Sequence, residues 1–269
     1  MAAVPDAIFE PVADDRYLPT ELATGPWDPG ALHGGPPAAL VAGALERAIA
    51  AGDLGAEFFP ARLTVELQRP VPLSELTVTT TIRRPGRRIC LADAALATPD
   101  GTVVLTATLE GIRVRPFEHG LAPDVDVPPG PDTGVGLAAE TLDGPPAFHR
   151  AGVEHRLVRG TRFEAAGPAT DWIRLAAPLV ADRETTPLER VVAAADFGNG
   201  VSRLFDMDDV LFLNPDLTVH LYRLPAGEWV CLDAVTRLGP DGVGLAESLL
   251  FDEQGPIGRA TQLLLVEPR

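Results

Sequence analysis

Three groups of residues in this chain have types and spacing that could do chemistry. His33-Gly34-Gly35-Pro36-Pro37 sets a glycine pair directly before an apolar stretch of helical character. Two prolines suit the opening turn of a helix, and glycines leave backbone N–H groups uncovered where the helix dipole favours negative charge. Gly34 and Gly35 therefore read as a cradle for an oxyanion, with the Gly35 N–H as donor and His33 beside it; the alternative is a tight turn into a helix. Four arginines, Arg83, Arg84, Arg87 and Arg88, crowd the turn IRRPGRR between two strand-like segments. Guanidinium forks grip phosphates, so this turn is either a contact for an anionic substrate or a solvated hairpin tip. The third group, Cys90 and Cys231, lies in strand-like segments without metal-ligand spacing and reads as two buried free thiols.

Other chemistries lack their signatures. The nearest approach to a serine elbow, Gly200-Val-Ser202-Arg-Leu, misses the second glycine. The five histidines, His33, His119, His149, His155 and His220, show no zinc-type spacing, so no metal is expected. Neither a P-loop nor a dinucleotide fingerprint occurs. A formal net charge of −16 argues against a nucleic-acid partner, because phosphate backbones need a basic surface. No run approaches a membrane span, and Met1 to Pro11 carries Asp6 and Glu10 without a basic segment, so a cytoplasmic protein is expected.

The elements that must position these residues come in two copies. Leu63 to Arg115 laid over Leu217 to Arg269, 154 positions apart and without a gap, gives twelve identities in 53 columns. Ordinary composition would give roughly three or four. With 269 residues and 46% apolar content there is room for two cores, and a period this long reads as a domain duplicated and fused, a homodimer made into one chain. Alternation in LTVELQR, LTVTTTI, ICLADAALAT and TVVLTATLEGIRV predicts a four-stranded antiparallel meander; LTVHLYR, WVCLDAVTRL, GVGLAESLLFD and IGRATQLLLV predict its counterpart. Helices are expected upstream of each, over 36–51 and 188–205. GVEHRLVRG and TDWIRLA read as opening strands of the second copy, matched by 9–12 and 17–21 in the first. The Pro-, Gly- and Asp-rich stretch 116–146 reads as a linker.

WDPGALHGGPPAALVAGALERA, AADFGNG, NPDLTVHLYRLPAGEWV and GRATQLLLVEPR, in that order on the duplicated plan, resemble the double hotdog acyl-CoA thioesterases of the thioesterase II group over nearly the whole chain. The resemblance implies an α+β fold of two tandem hotdog domains, each a central helix wrapped by a curled antiparallel sheet, forming a pseudo-dimer. The domains would be 1–117 and 147–269, joined by a linker over 118–146. The implied activity is hydrolysis of a fatty acyl-CoA or related acyl thioester to free acid and CoA, without a cofactor. Acyl-CoA is then the partner, nucleic acid and membrane are not, and further assembly of the fused units into homo-oligomers stays open.

In that family the chemistry is attributed to an Asp in the second central helix, a Thr, Ser or Asn at the start of the next strand, and a Gln in the last strand. The resemblance puts these on Asp196, Asn214 and Gln262. Asparagine cannot act as a base, so the base would be Asp196. In the ungapped overlay Gln262 falls on Thr108, and Asp196 is taken to lie where the first copy has Gly34-Gly35. The polar set is then asymmetric, and one competent site per chain is expected. Thioester hydrolysis needs a held water, a proton acceptor and oxyanion donors; Asp196 would be the acceptor, with Asn214 and Gln262 orienting the water. Two other readings compete. Asn214 in place of a hydroxyl fits a non-catalytic acyl-CoA binding protein. NPDLTVH echoes hotdog enoyl-CoA hydratases, although no Gly adjoins the preceding Asp and His220 follows Asn214 by six residues.

Overall fold

Period-two alternation sends every second side chain of these segments to one face, and the resulting strands join into a single antiparallel sheet. The computed structural model describes residues 5–119, 125–136, 144–160, 166–206 and 209–269. The first copy supplies β1 (Phe9–Ala13), β2 (Arg16–Pro19), β3 (Phe58–Leu67), β4 (Leu76–Arg84), β5 (Ile89–Ala97) and β6 (Val103–Arg113). Then follow β7 (Val135–Gly136), β8 (Val153–Arg159), β9 (Ala169–Leu175), β10 (Val210–Leu213), β11 (Asp216–Leu221), β12 (Val230–Leu238), β13 (Val243–Asp252) and β14 (Gly255–Pro268). The sheet runs β1-β2-β4-β5-β6-β3-β11-β14-β13-β12-β9-β8-β7, and β10 pairs with β14 beside this path. Helix α1 (Gly35–Ala51) packs on β3 to β6; α2 (Pro187–Ala195) and α3 (Gly198–Val201) pack on the second meander. This is the expected α+β plan, a helix under a curled meander, twice. No helix among the described residues is long and apolar enough to cross a membrane.

The halves meet where β3 pairs antiparallel with β11, and the pairing sets Thr64 opposite Thr218. A residue faces its own counterpart 154 positions on only where a twofold axis passes between them, so the pseudo-dimer axis lies at this threonine pair. Their hydroxyls lie 3.4 Å apart. Strands β4 and β12 coincide residue for residue under the same offset.

The offset fails in the last strand. Leu96 pairs with Leu105, nine residues on, whereas its counterpart Leu250 pairs with Gly258, eight residues on. The second hairpin is one residue shorter, and a one-residue slip exchanges the faces of a strand. Ala92 pairs with Leu109 and its counterpart Ala246 with Gln262. Gln262 is thus the counterpart of Leu109, a core residue, and not of Thr108; the identities Leu109/Leu263 and Arg115/Arg269 join residues that are not equivalent.

The second central helix also departs from the single helix expected over 188–205. It breaks after Ala195 and resumes for one turn at Gly198, where two glycines in GNG are weak helix formers. The 154 offset carried back from Asp196 lands on Ala42, inside α1, so Asp196 is not the counterpart of Gly34-Gly35. It faces them, because α1 and α2 pack antiparallel about the axis. Two further features went unexpected: β10, which flanks β14, and an ordered part of the 116–146 stretch, where β7 pairs with β8 and the Trp172 indole donates to the Pro129 carbonyl at 2.8 Å.

Candidate active site

The site grows out of the contact between the start of α1 and the break after α2. Pro36 and Pro37 carry no N–H, and the Ala38 N–H is bonded back to the Gly34 carbonyl, so the first turn of α1 is left with the Gly35 N–H. Close approach demands the glycines. A Cβ on Gly34 would stand 2.8 Å from Asp196 Oδ2, and one on Gly35 would stand 2.7 Å from the Ala193 carbonyl. Asp196 caps the C-terminal end of α2, where a carboxylate gains nothing from that helix's own dipole, but it lies against the start of α1, where it does.

Three donors converge on the Asp196 carboxylate, whose side chain is 4% exposed. Asn214 Nδ2 donates to Oδ1 at 2.8 Å, Gln262 Nε2 to the same oxygen at 3.0 Å, and His33 Nδ1 lies 2.9 Å from Oδ2. Gln262 does more than touch the acid. Its Nε2 also donates to the Asp196 carbonyl at 3.1 Å and its Oε1 accepts from the Asn199 N–H at 3.1 Å, so the amide bridges the helix break. With both its N–H groups and one lone pair of Oε1 bonded to the protein, Gln262 positions Asp196, while Asn214 spends its Nδ2 on Asp196 and the Asp216 carbonyl.

His33 Nδ1 lies near two groups that ask opposite things of it. The Gly35 N–H points at it from 3.2 Å, while the carboxylate sits at 2.9 Å. With the proton on Nδ1 the ring donates to Asp196; with it on Nε2, Nδ1 accepts from the Gly35 N–H. The first state releases the Gly35 N–H to another acceptor. The His33 ring is held by Phe148 and Phe197, with centroids at 5.2 and 4.6 Å. Behind this layer, His155 and Asp171 form a buried pair at 2.6 Å, and burial, with the charges of His33, Arg150 and His155 adding, pushes His149 down to about 3.

The pseudo-symmetric position is filled. There the place opposite the start of α2 belongs to Gly43, and a Cβ on it would overlap Glu189 Oε1. Glu189 is fully buried, gripped by Arg183 at 2.7 and 3.0 Å and engaged with Thr186 in a capping box. Here an ion pair, Glu189 with Arg183, takes the place that at the first site belongs to the Asp196 carboxylate and its amide donors.

The trio and the His33-Gly34-Gly35 run are brought together; Arg83, Arg84, Arg87 and Arg88 are not. Their turn joins β4 to β5 beside the Phe58–Phe59 end of β3, about 25 Å along the strands from the Leu67 end that adjoins Asn214. Arg83 is also committed to Asp93 at 2.6 Å. His220, the histidine of the hydratase-like echo, is exposed at the β3–β11 seam. Sequence reasoning passed over Asn199, Phe148, Phe197 and Trp27. The ring edge of Trp27 packs on Phe212 at 4.8 Å, tying the loop that carries His33 to the strand preceding Asn214. The one advance signal was the clustering of Phe197 and Asn199 in AADFGNG.

Comparison with known proteins places the chain in a family and supports the fold. A family model described as the acyl-CoA thioesterase N-terminal domain matches residues 23–110, and one described as the acyl-CoA thioesterase C-terminal domain matches 123–266. Among solved structures, a candidate thioesterase II from Thermobifida fusca is 20% identical, with TM-score 0.72 and coverage of 97% of this chain and 96% of that one. A protein of unknown function with a hot dog fold from Alicyclobacillus acidocaldarius is 19% identical, TM-score 0.69, covering 97% of each chain. An acyl-CoA thioesterase II from Mycobacterium marinum is 14% identical, TM-score 0.64, covering 97% and 95%. At such identities these likenesses speak for the fold. A search of curated proteins gives no significant match.

Proposed function

The chain belongs to the acyl-CoA thioesterase family and is a thioester hydrolase, and from that premise we propose that it cleaves a fatty acyl-CoA or related acyl thioester at Asp196, in one site of a pseudo-dimer whose units are residues 1–117 and 147–269, joined by 118–146. One observation carries this reading. Asp196 Oδ1 is held by two amide donors while Oδ2 faces Gly34 at the start of α1, so a nearly buried carboxylate stands directly against the helix start that carries the Gly35 N–H.

A water on Oδ2 and on Asn214 Oδ1 attacks the thioester carbonyl carbon and gives its proton to Asp196. The carbonyl oxygen becomes an oxyanion at the Gly35 N–H, where the α1 dipole stabilises it. Collapse re-forms the carbonyl and breaks the C–S bond; the leaving thiolate takes the proton back from Asp196, which leaves acid, thiol and the starting enzyme. His33 keeps Oδ2 oriented, and Gln262 fixes the helix break on which Asp196 rides.

Turnover of a panel of acyl-CoAs, followed by release of free thiol, tests the reading. Stoichiometric thiol release with free acid is expected; binding without release would make the chain an acyl-CoA binder, and hydration of an enoyl-CoA without thiol release would make it a hydratase.

A further inference from the structure

The duplication supplies an internal control for every side chain, and one arginine pair is informative. Arg69 and Arg223 are counterparts under the offset that holds for β3 and β11. In the second copy Arg223 is caged: its guanidinium donates to both oxygens of Asp252, to Oδ1 at 2.7 Å, and to the Gly255 and Pro256 carbonyls at 3.1 and 3.3 Å. In the first copy the position of Asp252 is held by Thr98, whose hydroxyl turns to Asp100 and the Thr102 carbonyl. Arg69 is exposed and forms no ion pair among the described residues.

The backbone places Arg69 between the two walls of the active site. On one side the Leu67 N–H donates to the Pro215 carbonyl at 2.8 Å, directly after Asn214. On the other, the Leu32 N–H donates to the Val71 carbonyl at 2.8 Å, directly before His33. The Gln68 and Arg69 N–H groups both reach the Val104 carbonyl, at 3.0 and 3.2 Å, so the chain leaves the ladder just past β3 and Arg69 stands exposed in the bend between the Leu67 and Val71 contacts. In a chain of net charge −16, an uncommitted guanidinium at this mouth is a local attraction for an anion that the rest of the surface repels.

We infer that Arg69 binds a phosphate of the CoA carrier and so selects CoA thioesters over uncharged ones, a role that the arginine turn at 83–88 does not fill at this site. This rests on the hydrolase reading for its biological sense, but the binding it describes can be measured without turnover. The two arginines then share an origin and differ in use: the acid at 252 retires Arg223 in the second copy, and Thr98 leaves Arg69 free in the first.

The test is calorimetric binding of CoA to wild type, Arg69→Gln, Arg69→Lys and Arg223→Gln, with hydrolysis of an acyl-CoA and of the same acyl group on N-acetylcysteamine, which lacks phosphate, measured alongside. Arg69→Gln is expected to weaken CoA binding and raise KM for acyl-CoA roughly tenfold, the loss of one bidentate charged contact. KM for the N-acetylcysteamine ester and kcat for both should stay put, Arg69→Lys should recover part of the affinity, and salt should weaken CoA binding more in wild type than in Arg69→Gln. Arg223→Gln should lower the melting temperature and leave CoA affinity unchanged. Equal CoA affinity in wild type and Arg69→Gln overturns the inference, as does a wild type that binds no CoA. Tight CoA binding lost in Arg69→Gln, with no thioester cleaved by wild type, would uphold the inference and sink the hydrolase reading.

Discussion

Replacing Asp196 by Asn changes one atom and one charge, and the structure lets the cost be worked out. The retained Oδ1 still accepts from Asn214 and Gln262, so the two amide contacts at 2.8 and 3.0 Å survive. The new amide nitrogen takes the place of Oδ2, and a proton on His33 Nδ1 now meets a donor. The imidazole must hold its proton on Nε2 and accept through Nδ1, which the Gly35 N–H already approaches at 3.2 Å. Exchanging a charged contact for a crowded neutral one should cost about 1–3 kcal/mol of stability, too little to unfold a domain of this size. Catalysis loses its proton acceptor altogether, a fall of about 10² to 10⁴-fold in kcat, or roughly 3–5 kcal/mol of barrier. KM should hardly move, because the substrate contacts are elsewhere. Steady-state thiol release, with the fold checked by circular dichroism and melting, is the assay. A folded Asp196→Asn enzyme within threefold of wild-type kcat would remove the carboxylate from the proton transfer and refute the mechanism.

Further outcomes follow from the same geometry. Gln262→Leu restores the side chain found at Leu109 in the first copy; activity should drop at least tenfold while the sheet register survives, and the stranded Asn199 N–H and Asp196 carbonyl should cost about 1–3 kcal/mol in denaturant titration. Wild-type activity in this variant would show that the amide is dispensable. Glu189→Ala leaves Arg183 without its buried partner and breaks the α2 cap, so a loss of about 3 kcal/mol is expected with kcat/KM of the folded protein unchanged. A drop in kcat/KM instead would show that the filled position communicates with the Asp196 site. His149, depressed to about 3 from an unfolded value near 6.5, stays neutral in the fold and takes up a proton on unfolding between those limits. It therefore favours the fold above pH 6.5, and that stability fades as pH falls, with a slope approaching 1.4 kcal/mol per pH unit below pH 6. Chemical denaturation at several pH values should show this slope shrink in His149→Gln; an unchanged profile would mean that other groups set the acid limb.

Much was legible before any coordinates. Duplication, two meanders, a helix beneath each and the glycine-rich start of the first helix all follow from local pattern, since alternation and turn chemistry act over a few residues. The resemblance also named Asp196, Asn214 and Gln262, and the fold brings these residues together. What the letters hid was long-range. The inward face of Gln262 depends on a hairpin one residue shorter than its twin, which flips a whole strand while leaving an ungapped overlay that still looks respectable. That Asp196 meets Gly34 and Gly35, residues that are not its counterparts, follows from antiparallel helix packing across an axis that only the Thr64–Thr218 pairing locates. The filling of the second site by Glu189 and the freeing of Arg69 are likewise facts of juxtaposition: each is an ordinary surface letter in sequence, and becomes a plug or a lure only through what the other copy sets against it.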